Sequence, residues 1–175
     1  MMTPQFRIAT ARPFDVPFFA SIEREAAQLL RGYAPQSVLD ETTSETDFRE
    51  AQAAGRLWVA LAGDTPVGFA LVKMLAEDLP HLDEIDVHPD HGRRGAGTAL
   101  VRAVCEWTRR SGYSGITLTT FRGVPWNMPF YSRLGFEDVS HDKHRPELKA
   151  VVADETARGL DPRHRVIMRY RVRAA

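Results

Sequence analysis

Two adjoining stretches of this sequence hold residue types whose spacing can do chemistry. Residues 87–100 read VHPDHGRRGAGTAL, a turn rich in Gly and Pro that runs straight into a helix-forming run. A helix start presents unpaired N–H groups and the positive end of the peptide dipole. Glycine lets such a backbone approach a bulky group closely, and Arg93 and Arg94 add positive charge. That combination fits a pyrophosphate at a helix N-terminus. No Gly-Lys-Ser/Thr ending follows, and the G-x-G-x-x-G spacing is missing, so neither a P-loop nor a dinucleotide-binding turn is indicated.

Just upstream, residues 81–87 read HLDEIDV. A buried strand is normally rich in Val and Ile, so His81, Asp83, Glu84 and Asp86 need a reason to be there. Alternation puts His81 and Asp83 on one face and Glu84 on the other, unless a bulge intervenes. A His–Asp pair holds one imidazole tautomer and raises its basicity. The expected proton acceptor is therefore His81 with Asp83 behind it, or Glu84.

The elements that must position these groups follow from periodicity and punctuation. Strands are expected at 6–9, 57–62, 66–75, 81–87, 116–121, 136–139 and 165–172. Gly63 and Asp64 mark a hairpin turn. Helices are expected from Pro17 to a stop at Gly32, with Asp15 as cap, and at 45–54, 98–110, 125–134 and 146–158. Leu100, Val101, Val104 and Trp107 form one stripe of the fourth-strand helix. Residues 33–46 read as an irregular loop with a weak helical tendency. The order β α α β β β α β α β α β gives one mixed α/β (α+β) domain over 1–175.

The chain has 175 residues, 43% hydrophobic and 26% charged, with 23 basic and 23 acidic side chains. That length can bury a core without metal or disulfide staples. The balanced charge offers no field for nucleic acid or an anionic membrane. One cysteine, Cys105, excludes an internal disulfide and reads as a small buried hydrophobe. No leader pattern is visible at the start and no apolar run approaches about 20 residues, so a cytoplasmic location is expected. His81, Asp83, Asp86, His88, Asp90 and His91 match no zinc spacing, and no metal is expected.

Residues 87–100 resemble the acetyl-CoA motif of the GNAT superfamily, Q/R-x-x-G-x-G/A after V-x-P. Val87, Pro89, Arg94, Gly95, Gly97 and Leu100 match; Gly92 stands where the motif has Gln or Arg. Residues 121–136 read FRGVPWNMPFYSRLGF, and Phe130, Tyr131, Gly135 and Phe136 are similar to the F-Y-x-x-x-G-F signature of the same superfamily. Residues 81–136 most resemble the arylalkylamine and small-amine acetyltransferases. The resemblance implies a mostly antiparallel twisted sheet, helices on both faces, and a splay where the cofactor enters. It also implies acetyl-CoA as co-substrate. Its pyrophosphate would lie on Arg93, Arg94, Gly95, Ala96, Gly97 and Thr98, and its pantetheine arm along the backbone of Ile85, Asp86 and Val87.

Tyr131 takes the position of the acid that protonates the leaving thiolate. His81 takes the position of a base, and Asp83 replaces the second histidine of the arylalkylamine pair. Asn127 either bonds the pantetheine arm or caps its helix. Trp126 borders the cofactor or acceptor site. The implied acceptor is a small-molecule amine, and carboxylates at Asp83, Glu84 and Asp86 suit a cationic one. A protein N-terminus or lysine, and a non-catalytic acyl-CoA sensor, are the alternatives. Relatives of this kind include homodimers formed through the late strands.

Overall fold

The computed structural model describes residues 6–173; residues 1–5 and 174–175 of the expected domain lie outside them. The strands are β1 (Arg7–Thr10), β2 (Leu57–Ala62), β3 (Thr65–Ala76), β4 (Leu79–Val87), β5 (Gly115–Phe121), β6 (Phe136–Asp138) and β7 (Arg165–Arg171). They form one sheet in the order β1-β2-β3-β4-β5-β7-β6. Every neighbouring pair is antiparallel except β4 and β5, which run parallel. The helices are α1 (Phe19–Ala27), α2 (Gln36–Leu39), α3 (Glu45–Ala53), α4 (Ala96–Arg110), α5 (Met128–Arg133) and α6 (Pro146–Ala157).

Both sheet faces are covered. On one, Leu100, Val101 and Val104 of α4 and Tyr131 of α5 pack on Ala70, Val72, Leu82 and Leu118. On the other, Phe19 and Ile22 of α1 and Phe48 of α3 pack on Val59, Phe69 and Leu71. Leu148 of α6 covers Leu79 and Ile167 on that second side. The expected architecture is therefore present, with most element bounds moved by one to three residues.

Three expectations need correcting. Asp15 does not cap the first helix. Its carboxylate accepts from Arg12 N at 2.8 Å and from the Arg12 guanidinium at 3.1 Å, because that turn brings a cation back onto it. The helix also stops at Ala27 and continues only as a tight turn to Leu30, ahead of Gly32. The fifth helix begins at Met128 rather than 125, since Val124 O accepts from Asn127 N in a preceding turn.

The feature that positions the site is the β4–β5 pair. Its ladder spans only His81 with Thr117 and Leu82 with Leu118. Beyond Leu82 the strands part, β4 staying with β3 and β5 with β7. Among the described residues, the backbone edge of residues 83–87 that faces β5 has no strand partner, so it lies open to a ligand.

Candidate active site

The parted strands open into a cleft of about 1800 Å³ that reaches both faces of the sheet. At one end lies the turn into α4. Gly95, at φ +92, takes the left-handed conformation that glycine adopts without strain. Arg93, at φ 58, also turns left-handed. No side chain caps α4. Among the described residues none accepts from the backbone N–H groups of residues 93–98, which lie in or beside the cleft wall. Gly97 is not needed for packing, since a Cβ there would meet Phe130 at an ordinary 3.6 Å. This row of free donors, with two arginines and a helix dipole behind it, fits the pyrophosphate of a CoA-type ligand.

The next groups come from β4. Leu71 pairs with Glu84 and Val72 with Leu82, so Asp83 is an extra residue, a bulge. Leu82, Ile85 and Val87 all face the α4 core. His81, Glu84 and Asp86 consequently share the opposite face. This corrects the regular alternation, which put Glu84 across the sheet from His81. The expected His81–Asp83 pair is also not formed. Asp83 turns to Lys73 Nζ at 3.0 Å, drawn by the cation on β3, which Asp47 also approaches at 3.5 Å. His81 Nδ1 lies 2.9 Å from Thr117 Oγ1. His81 is only 2% exposed, and burial pushes its imidazole down to about 4, opposed by Asp83 and Glu155. It is a neutral, buried histidine.

Glu84 and Asp86 meet a partner that sequence reasoning missed. Glu23 of α1 brings a carboxylate oxygen within 4.8 Å of one from each. Burial first, then the neighbouring carboxylates, raise Glu84 well above the usual range and Asp86 to about 8; burial also raises Glu23, opposed by its hydrogen bonds from Thr43. Asp86 Oδ2 is buried without a hydrogen-bond partner. Nothing in the α1 sequence marks Glu23, because it takes an ordinary helical position and only the tertiary fold places it opposite β4.

Tyr131 approaches from the other side of the sheet. Its ring packs on Phe130 at 5.0 Å and Phe136 at 5.7 Å between centroids. Burial, then the charges of Glu84 and Asp86, hold its hydroxyl proton more tightly than in a free tyrosine. The hydroxyl therefore stays protonated and feels the carboxylates through the gap between β4 and β5. Asn127 stands at the α5 start, yet its side chain makes no capping bond; it lines the cleft instead. Cys105 is a buried residue of α4, its thiol pushed up to about 12 by burial.

The far wall is tied across the fold. Arg165 grips Glu155 through two hydrogen bonds at 2.7 and 3.0 Å, and Thr119 bonds the same carboxylate. Arg158 of the α6 end reaches Glu41 in the loop before α3 at 2.8 Å. Trp126 meets Tyr33 edge to face at 5.8 Å. No described helix is long and apolar enough to cross a membrane.

Comparison with known proteins agrees with this geometry. The sequence profile of the acetyltransferase (GNAT) family matches residues 23–136. The chain is 32% identical over 132 residues to mycothiol acetyltransferase of Nocardiopsis dassonvillei, covering 75% of this chain but only 38% of that relative. The fold is shared with PaiA N-acetyltransferase from Thermoplasma acidophilum, solved in complex with coenzyme A (TM-score 0.74, 16% identity, 95% of this chain and 99% of that one). It is shared also with the ribosomal-protein-S18-alanine N-acetyltransferase from Escherichia coli (TM-score 0.67, 19% identity, 97% and 96% covered). With a profile spanning the strand, the phosphate turn and the Tyr131 helix together, this chain belongs to the GNAT acetyltransferase family.

Proposed function

We propose that the protein transfers the acetyl group of acetyl-CoA directly to the primary amine of a small cationic acceptor. The observation that carries the reading is the gap between β4 and β5. It sets the free N–H row of residues 93–98 at one end, the Tyr131 hydroxyl on one face and Glu84 on the other. Acetyl-CoA supplies the activated acyl group when bound. The backbone at residues 93–98 holds its pyrophosphate, the open edge of Ile85, Asp86 and Val87 aligns its arm, and Asn127 offers a side-chain donor beside it.

The chain's own groups then move protons. An alkyl ammonium, which titrates near about 10, must lose a proton before it can attack. Glu84 is the proposed acceptor of that proton, since its raised affinity brings it towards the operating pH. His81, buried and neutral beside Thr117, is assigned to holding β4 against β5. Tyr131 Oη gives its proton to the departing sulfur and regains one from the nitrogen as the amide forms. The net result is one proton on Glu84, returned to solvent. Asp83 and Asp86 add negative charge along the acceptor's path.

The acceptor is read as small because the Arg158–Glu41 bridge and the Tyr33–Trp126 contact reach over the acceptor side. The PaiA neighbour's complex with coenzyme A supports the co-substrate. A competition between arylalkylamines, polyamines, amino acids and a short peptide, read by mass spectrometry of the acetylated product, tests the acceptor. Acetylation of cationic amines supports the reading, and exclusive acetylation of the peptide overturns it.

A further inference from the structure

Glu23 is anchored in a way its neighbours are not. Both of its oxygens accept from Thr43 N, at 2.9 and 3.0 Å, and one also accepts from Thr43 Oγ1 at 3.1 Å. Glu23 is only 8% exposed. Thr43 belongs to the loop that carries Glu41, and that loop lines the cleft. Burial raises Glu23, but the bonds from Thr43 to its anionic form oppose that rise, whereas among the described residues Glu84 and Asp86 have no comparable donors, so Glu23 gives up its proton before they do. Asp86 Oδ2 has none at all. Three carboxylates this close in a half-buried site cannot all be charged.

We propose that Glu23 is a positioning residue for the acetyl transfer: clamped by Thr43 as a fixed anion against β4, it obliges Glu84 and Asp86 to hold one proton between them. This rests on the reading of Glu84 as proton acceptor. An ammonium entering the cluster displaces that shared proton by charge, so the pair is ionised only when an acceptor is present. Glu23 thereby couples the loop that covers the acceptor to the state of the base. The other groups facing the pair are Asp83 on β4, itself held by Lys73 of β3, Arg24 beside Glu23 on α1, and the Tyr131 hydroxyl from α5. Only Arg24 and Lys73 are cationic among these, and Lys73 is engaged by Asp47 and Asp83.

The test is a carboxyl titration by carbon-detected NMR on the full chain, wild type against Glu23→Gln, with CoA binding by calorimetry as the check on folding. It needs neither acceptor nor turnover, so a catalytically silent chain still decides it. In the wild type, a Glu84–Asp86 proton should be released above the ordinary carboxylate range. In Glu23→Gln its midpoint should fall by about one pH unit or more. Thr43→Val, which loses the hydroxyl bond but keeps the N–H bonds, should move it the same way by less, and serves if Glu23→Gln does not fold. An unchanged midpoint in the variants, or a wild-type pair titrating in the ordinary range, overturns the proposal. Where an acceptor is in hand, the acidic limb of kcat/KM should move to lower pH by the same amount. A purely structural Glu23 would lower kcat at every pH and leave the limb in place.

Discussion

Leu82 and Ile85 pack into one hydrophobic core although they stand three positions apart on β4. On a regular strand an odd separation puts two side chains on opposite faces. The bulge at Asp83 absorbs the mismatch and turns Glu84 and Asp86 together towards Glu23. Glu84 is thereby raised by burial and by like charge. Between the ordinary carboxylate range and that raised value the folded state binds more protons than the unfolded one, so stability falls as pH rises. Glu84→Gln should lessen that fall, leaving the part that Asp86 contributes. Thermal melts of the two proteins should coincide near pH 4 and separate at pH 9 with the variant the more stable, on the order of 1 kcal/mol. Turnover should drop about 10²–10⁴-fold.

Gly95 and Gly97 should fail in different ways. Gly95 sits at φ +92, so Gly95→Ala imposes left-handed strain of about 1–2 kcal/mol on the start of α4. Melting temperature and CoA affinity should both fall. Gly97→Val has no such strain, but its branches would press on Phe130 and Val87, which line the cleft beside the proposed pyrophosphate site. Calorimetry should show weakened CoA binding with little change in melting temperature.

The Arg165–Glu155 pair is buried on both sides, its side chains 10% and 6% exposed. Burial alone would raise Glu155, yet the Arg165 bonds and charge hold it below its ordinary value. Arg165→Met should strand that carboxylate and cost about 3–5 kcal/mol in denaturant unfolding. Adding Glu155→Leu should recover most of the loss, since no unpaired charge would remain.

Arg158 and Glu41 are both part exposed, at 42% and 43% of their side chains. Such a pair contributes about 0–1 kcal/mol, so Arg158→Ala should barely move the melting curve. It should nonetheless loosen the strap over the acceptor side. Relative kcat/KM for bulky over small amines should rise in the variant, and an unchanged ratio would remove the strap from specificity.

Much of this was legible in the residues. Most strands and the helices α1 and α4 carry their own periodicity, and the turn at 92–97 carries its own glycines, so these were readable locally. What was not readable depends on tertiary placement. A bulge leaves no residue signature in HLDEIDV, so the face of Glu84 was unreadable. Asp83 was paired with His81 because the sequence neighbour is visible and the cross-strand Lys73 is not. Glu23 was missed for the same reason, being 61 residues from Glu84 along the chain.

The most direct measurement is release of free CoA thiol from acetyl-CoA over a panel of cationic amines, for the wild type and for Tyr131→Phe. The ring contacts survive that change, so CoA should bind both proteins alike by calorimetry. Acetyl transfer with Tyr131 as acid predicts thiol release on at least one amine class, reduced about 10²–10⁴-fold in the variant. Thiol release from the variant equal to that of the wild type would contradict the role of Tyr131. CoA binding with no release on any amine would contradict the transfer itself.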